Sequence, residues 1–212
     1  MKEIEIKSGA ETLIMIGPPG SGKDTQAEFL VNALGYQEIS SGQLIRQRAT
    51  HDEELKKVLD SGGLVEDGLI DDEIISVFAL LPEEQPVILN GYPRTKEQAE
   101  RLAKILAENN RRVDQVIYIK TKDSNLIERI GKRRVCVSCG HFTDDSGAKC
   151  PECGGGLAIR DDDTPDSVKR RLELFHKETE PVINYYKELG VLAEVDGNPS
   201  VEIVRENIRK AL

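Results

Sequence analysis

The sequence predicts an α/β fold in which a parallel sheet is flanked by helices. Short apolar runs alternate with segments whose apolar residues recur at helical spacing, and this alternation is typical of parallel sheets. A glycine-rich loop joins the first apolar run to the first helical segment, and two stretches that lack the alternation indicate insertions. We therefore expect one α/β core that carries two inserted segments.

The predicted elements follow one another along most of the chain. Leu13–Ile16 is a fully apolar run, as expected of a strand that is covered on both faces. Residues 1–10 alternate isoleucine with charge and could form either an edge strand or a loose tail. The other predicted strands are Pro86–Asn90, Val113–Ile119 and Val191–Val195, and the predicted helices are Thr25–Leu34, Asp71–Leu80, Thr95–Glu108, Asp123–Ile130, Asp166–Leu189 and Ser200–Leu212.

Two segments interrupt this order. Residues 40–69 contain glycines and short helical patterns but no convincing strand, and residues 131–160 are rich in glycine, cysteine and charge. We expect them to be inserts in a core domain made of residues 1–39, 70–130 and 161–212.

Composition limits the function classes. The 212 residues carry a net charge of -9, which disfavours nucleic acid as a partner because phosphate backbones are bound by clustered Lys and Arg. The apolar runs are far shorter than the roughly 20 residues needed to cross a bilayer, and the first ten residues lack the apolar stretch of a signal peptide. We expect a cytoplasmic monomer with no membrane contact.

The glycine-rich loop predicts a phosphate-binding site. Gly17-Pro-Pro-Gly20-Ser21-Gly22-Lys23 follows the apolar strand and precedes a helix. In such a loop, backbone N–H groups and the positive end of the helix surround the phosphates, and the lysine bridges the outer ones. The residue after the lysine is usually a Ser or Thr that binds Mg²⁺; here it is Asp24, and Thr25 follows one position later.

The four cysteines predict a structural metal site. Cys136-x₂-Cys139 and Cys150-x₂-Cys153 form two knuckles separated by ten residues, and a glycine follows each knuckle. Four thiolates at this spacing suit tetrahedral Zn²⁺ and leave no open position for catalysis.

From the phosphate loop onward the chain resembles adenylate kinases, the nucleoside monophosphate kinases that transfer a phosphoryl group between ATP and AMP. Their loop also places a threonine two residues after the lysine, as in Gly22-Lys23-Asp24-Thr25. The other shared motifs occur in the family's order from about Thr12 to the C-terminus. They are Ile39-Ser-Ser-Gly-Gln43-Leu-Ile-Arg46, Gly63-Leu-Val65, Gly91-Tyr-Pro-Arg94 with Gln98, Glu128-Arg129-Ile130 with Arg133-Arg134, Arg160-Asp-Asp162-Asp163, and Arg171-Leu172.

The resemblance implies reversible conversion of ATP and AMP into two ADP, and it assigns roles to matching residues. Phosphoryl transfer needs mainly positioning and cationic stabilisation. The implied catalytic set is Lys23, Arg94, Arg133, Arg160 and Arg171. The implied ATP-binding residues are Gly20, Ser21, Gly22, Lys23, Asp24, Thr25, Arg129, Arg133, Phe142 and Pro199. The implied AMP-binding residues are Ser41, Arg46, Gly63, Leu64, Val65, Gly91, Tyr92, Pro93, Arg94, Gln98, Arg160 and Arg171.

By the same resemblance, the inserts are mobile: residues 40–69 cover the nucleoside monophosphate, and residues 131–160 form a zinc-containing lid over ATP. Asp162 and Asp163 would orient arginines. Phe142 could stack on adenine or pack within the zinc knuckle. Gln98 lies where these enzymes place a glutamine that pairs with adenine, whereas pyrimidine monophosphate kinases typically carry asparagine there.

Two carboxylates of the family pattern are replaced by Asn90 and Gln43. We expect Mg²⁺ to accompany ATP, and Asp24 to restore part of the negative charge that Asn90 removes; the alternative is that Asp24 only stabilises the start of its helix. Two alternatives remain open. One is a nucleoside monophosphate kinase of broader or different base specificity, and the other is a phosphate-loop protein that has lost catalysis and whose zinc segment recruits another macromolecule.

Overall fold

The computed structural model describes residues 11–63, 65–144 and 147–212. The question of an edge strand or tail at residues 1–10, and the predicted contact of Leu64, fall outside these ranges. In chain order the described elements are β1 (Thr12–Ile16), α1 (Lys23–Leu34), β2 (Gln37–Ser40), α2 (Ser41–Ala49), α3 (Glu53–Asp60), α4 (Asp67–Phe78), β3 (Val87–Asn90), α5 (Lys96–Glu108), β4 (Gln115–Lys120), α6 (Asp123–Lys132), β5 (Arg134–Cys136), β6 (Phe142–Thr143), β7 (Leu157–Ala158), α7 (Pro165–Leu174), a π-helical segment (Phe175–Thr179), α8 (Glu180–Glu188), β8 (Leu192–Asp196) and α9 (Val201–Ala211).

The central sheet is parallel and has β1 in its middle. Its order within the described chain is β2-β3-β1-β4-β8, and Met15 of β1 is in register with Asn90 of β3 and Ile117 of β4. Alternate residues of β1 belong to opposite cores: Leu13 and Met15 pack in the core with α1 and α9, and the intervening isoleucines pack in the core with α2, α4, α5 and α8. The apolar run therefore forms a doubly covered strand, and the α/β prediction is confirmed.

Strand β2 was not predicted. It contributes little apolar surface, since Gln37 is exposed and Glu38 is only half-buried, while Ile39 is buried. Its strand conformation depends on parallel pairing with β3, in which Ser40 is in register with Asn90. Because it lies at the edge of the sheet, the hydrophobic pattern that marks the inner strands is absent.

The predicted helix 166–189 is divided. α7 and α8 are joined by the π-helical segment, whose last turn is closed by the N–H of Glu180 donating to the carbonyl of Phe175. Pro181 follows immediately and has no N–H, so the helix cannot keep its regular hydrogen bonds there. The segment places Thr179 against the site: its hydroxyl donates to the carbonyl of Arg94 at 3.0 Å.

The two predicted inserts differ from the rest in structure. Residues 41–60 form the short helices α2 and α3, and α4 begins at Asp67, four residues before the predicted start. Residues 134–158 contain a small antiparallel sheet of order β6-β5-β7. None of the helices that the structure describes combines the length and apolar character needed to cross a membrane.

Candidate active site

The phosphate loop lies at the carboxyl end of the central strand. Gly20 and Gly22 have φ values of +81° and +91°, a backbone conformation that residues other than glycine rarely adopt. A Cβ at Gly20 would also come within 2.8 Å of Cγ1 of Ile130. α1 begins at Lys23 directly after the loop, so its positive end and free N–H groups face the space that the loop encloses.

Two cavities open on the two sides of this loop in the described chain. The first is lined by cations that come from distant parts of the sequence and by most of the predicted AMP-binding residues: Lys23, Ser41, Arg46, Gly63, Val65, Gly91, Pro93, Arg94, Gln98, Arg160 and Arg171. The second is lined by the predicted ATP-binding residues Gly20, Ser21, Gly22, Asp24, Thr25, Arg129, Arg133, Phe142 and Pro199.

Burial and neighbouring cations lower the pKa values of Lys23 and Arg94. Burial lowers the pKa of Lys23 to about 8; Asp24 partly offsets this, and Arg171 and Arg94 add to it. Burial, followed by the charge of Arg171, lowers the pKa of Arg94 to about 10. Burial is the main cause of these shifts, and repulsion between the cations adds to it when no phosphate is bound.

Two neighbouring aspartates hold three arginines in place. Asp163 accepts hydrogen bonds from both Nε and a terminal nitrogen of Arg133, with Nε at 3.0 Å. Asp162 forms the same forked pair with Arg160, with Nε at 2.7 Å. Arg171 Nη1 lies 3.2 Å from Asp163 Oδ1 and 3.1 Å from the carbonyl of Asp162. Forked pairs fix the planes of the guanidinium groups, which agrees with the orienting role that the resemblance implies.

Asp24 and Asn90 are in direct contact. Nδ2 of Asn90 donates to Oδ1 of Asp24 at 2.8 Å and to Oε1 of Glu38 at 2.7 Å. Burial alone would raise the pKa of Asp24, but Lys23 and the Asn90 amide lower it below the usual range. The amide of Asn90 thus bridges two carboxylates, and a third carboxylate at this position would face both. Glu38 was missed because β2 was missed.

The four cysteine sulfurs form one cluster. All four lie within 4.8 Å of one another, with Cys136 Sγ 3.5 Å from Cys153 Sγ and Cys139 Sγ 3.7 Å from Cys150 Sγ. Tetrahedral zinc with bonds of about 2.3 Å would place the sulfurs roughly 3.8 Å apart. The N–H of Ser138 also points at Cys136 Sγ, at 3.4 Å. The arrangement fits the predicted metal.

Phe142 and Arg129 lie on the wall of the second cavity. The ring of Phe142 has the guanidinium carbons of Arg133 at 5.4 Å and Arg160 at 5.9 Å from its centre. A terminal nitrogen of Arg129 donates to the carbonyl of Asn198 at 3.1 Å, beside Pro199. Residues 129, 142 and 199 therefore line the same cavity, although they are far apart in the sequence.

Tyr92 is not brought to the first cavity. Its side chain is buried, and its hydroxyl donates to Asp71 Oδ1 at 2.5 Å, so the structure gives no support for direct contact with AMP through this side chain. Its neighbours Gly91, Pro93 and Arg94 do line the cavity. The Gly-x-Pro-Arg pattern located the segment but could not indicate which way the aromatic ring faces. Asp71 was also missed, as were Asp67, which accepts from Gln98, and Arg101, which donates to both aspartates.

Two cavities that share one phosphate loop, with cations between them, define a phosphate-loop phosphotransferase acting between two phosphate-bearing substrates. A family model described as adenylate kinase matches residues 15–191. An adenylate kinase of Lachnoclostridium phytofermentans is 40% identical over 206 residues, covering 92% of this chain and 95% of that protein. The adenylate kinase of Lachnospira eligens is 40% identical, and the match covers 94% of this chain and 99% of that protein. The adenylate kinase of Archaeoglobus fulgidus is 36% identical, and the match covers 94% of this chain and 97% of that protein. The chain belongs to the adenylate kinase family.

Proposed function

We propose that Lys23 and four arginines carry out the transfer of a phosphoryl group between ATP and AMP. The observation that carries this proposal is the convergence of Lys23, Arg94, Arg160 and Arg171 on the cavity beside the loop, with Arg133 facing it from the other side. The second cavity would hold ATP, and the first would hold AMP. Their phosphates would then meet at Lys23. This lysine follows the phosphate loop and lines the first cavity together with Arg94, Arg160 and Arg171.

The chemistry needs positioning more than proton transfer. Charge spreads over the equatorial oxygens of the transferred group, and fixed cations stabilise it without reorganising during the reaction. The acceptor phosphate of AMP is already a nucleophile, so no general base is needed. Arg46 and Arg94 would hold that phosphate, and Asp162 and Asp163 would keep the transferring arginines in orientation through the pairs described above.

The adenine groups would occupy opposite ends of the site. Arg129, Phe142 and Pro199 form the outer wall of the second cavity and offer a planar cation and an aromatic ring to the base of ATP. In the first cavity, Gln98 is the residue whose amide can both donate to and accept from the base of AMP. The hydroxyl of Ser41 is held by the carbonyl of Gly91 at 2.8 Å, next to the same cavity.

A coupled assay of ADP formation from MgATP with AMP, CMP, UMP and GMP tests the reaction. We expect AMP to be the preferred acceptor. Arg171→Met should lower kcat by about 100-fold or more, since losing one preorganised donor typically costs that much. Arg170→Met is the matched control, because Arg170 is the adjacent exposed arginine of α7. Absence of ADP formation by the wild-type protein would refute the function; equal losses in both variants would refute the role of Arg171.

Mg²⁺ would be held beside Asp24. The carboxylate lines the second cavity next to Thr25, and the buried Oδ1 of Asn90 has no hydrogen-bond partner among the residues that the structure describes. Hard oxygen groups of this kind suit Mg²⁺ and its water ligands. When bound, Mg²⁺ neutralises charge on the phosphates of ATP; Asp24 would orient its hydration shell.

Asp24→Gly tests this role. Removing the carboxylate should raise the Mg²⁺ concentration needed for half-maximal kcat by roughly tenfold, the effect typical of losing a group that supports a metal. The measurement is kcat against free Mg²⁺ at saturating ATP and AMP. An unchanged Mg²⁺ dependence would leave Asp24 as a residue that only stabilises the start of α1.

The cysteine cluster would hold structural Zn²⁺ and stabilise residues 131–160 as a lid over ATP. The described part of this segment has few buried apolar residues, so four metal bonds would replace a hydrophobic core. The lid contacts the core through His141, whose Nδ1 lies 3.3 Å from Glu28 Oε1. Residues 40–69 would be the matching insert over AMP. Residues 1–39, 70–130 and 161–212 would together form the core domain that carries both inserts.

Elemental analysis of the purified protein tests the metal. We expect one zinc per chain, and none in the double variant Cys136→Ser, Cys150→Ser, because tetrahedral sites of this kind need all four ligands. Retention of zinc by the double variant, or its absence from the wild type, would contradict the assignment.

The chain would act as a cytoplasmic monomer. The four cysteines are not joined as disulfides, which suits a reducing compartment.

A further inference from the structure

The side-chain amide of Gln98 is held at both ends. Its Oε1 accepts from the backbone N–H of Arg94 at 2.7 Å, and its Nε2 donates to Oδ1 of Asp67 at 2.8 Å. Gln98 is only 2% exposed, and Asp67 and Gln98 both line the first cavity. The part of the amide that is left for a ligand is one N–H and one lone pair on the oxygen.

These partners allow one orientation of the amide. A carboxylate accepts hydrogen bonds, and a backbone N–H donates them. If the amide turned over, its oxygen would face Asp67 and its NH₂ group would face the N–H of Arg94, so both hydrogen bonds would be lost. Leaving buried polar groups unpaired is costly. Asp67, together with the backbone N–H of Arg94, therefore determines which side of Gln98 donates and which side accepts.

Asp67 is itself fixed by Arg101. A terminal nitrogen of Arg101 donates to Oδ2 of Asp67 at 2.7 Å, which leaves Oδ1 for Gln98. The Nε of Arg101 donates to Asp71, which also accepts from the hydroxyl of Tyr92. Asp67 and Asp71 belong to α4, and Arg101 belongs to α5. The network joins these two helices beside the cavity.

We infer that Asp67, held by Arg101, is a positioning residue that selects a 6-aminopurine over a 6-oxopurine at the acceptor site. This inference rests on the proposed function, in which the first cavity takes the acceptor nucleotide. Adenine offers an acceptor at N1 and a donor at its 6-amino group, which match the remaining N–H and lone pair of Gln98. A 6-oxopurine offers a donor at N1 and an acceptor at position 6. Its N1–H would face the N–H of Gln98, and its 6-oxygen would face the oxygen of Gln98, so neither hydrogen bond could form.

Asp67→Asn is the direct test, because an asparagine amide can present either an oxygen or an NH₂ group to Gln98. The acceptors are AMP and inosine monophosphate, which differ only in the purine edge that Gln98 would contact. We expect the ratio of kcat/KM for AMP to kcat/KM for inosine monophosphate to fall at least ~10-fold. The fall should come from a higher KM for AMP and improved use of inosine monophosphate, with kcat for AMP little changed.

Arg101→Met provides a second variant that keeps the Asp67 carboxylate but removes the cation that fixes it. We expect the ratio to shift in the same direction by a smaller factor. Lys104→Met, at an exposed position of the same helix, is the control and should leave the ratio unchanged. Calorimetric Kd values for the two nucleotides should change in parallel with KM.

The outcomes separate the two proposals. If wild-type protein does not phosphorylate AMP, the proposed function fails. If it does, but both variants lose kcat/KM for the two acceptors by equal factors, Asp67 has only a structural role and the inference is wrong. An unchanged ratio in both variants would also overturn it; should Asp67→Asn not fold, the ratio and Kd values of Arg101→Met decide.

Discussion

The cleft holds several like charges close together, and the proposed reaction depends on this arrangement. Phosphoryl transfer between two nucleotides requires several cations around a few oxygen atoms, and this chain supplies them in spite of its net charge of -9. In the described residues, Asp24, Asp162 and Asp163 offset part of the repulsion. The cations concerned are Lys23, Arg46, Arg94, Arg133, Arg160 and Arg171.

The order of the strands and helices brings these charged groups together at one edge of the sheet. Parallel strands end at the same edge of the sheet, so the phosphate loop after β1, Ser41 after β2 and Asn90 at the end of β3 are neighbours. The arginines come from α2, the loop before α5, the boundary of residues 131–160 and α7. The π-helical segment adds Thr179, which fixes the backbone at Arg94.

The sequence predicted those features whose signal is local. Apolar runs marked β1, β3 and β4, glycine spacing marked the loop, and cysteine spacing marked the four-cysteine cluster. Edge strand β2 has a mostly polar sequence and depends on pairing with β3, so it could not be found in this way. The contacts of Asn90 with Glu38 and of Asp67 with Arg101 were missed for the same reason: they arise from the order of the strands and the packing of α4 on α5. The orientation of Tyr92 likewise depends on Asp71.

We conclude that the cleft gathers buried, mutually repelling cations, which bound phosphate then neutralises. NMR titration of ¹³C-labelled lysine tests this, with the Lys23 signal identified by its loss in Lys23→Met. We expect a pKa of about 8 in the free protein and a clear rise when inorganic tripolyphosphate is bound, because an opposite charge favours the protonated amine. An ordinary lysine pKa in the free protein, or no change with tripolyphosphate, would contradict the account.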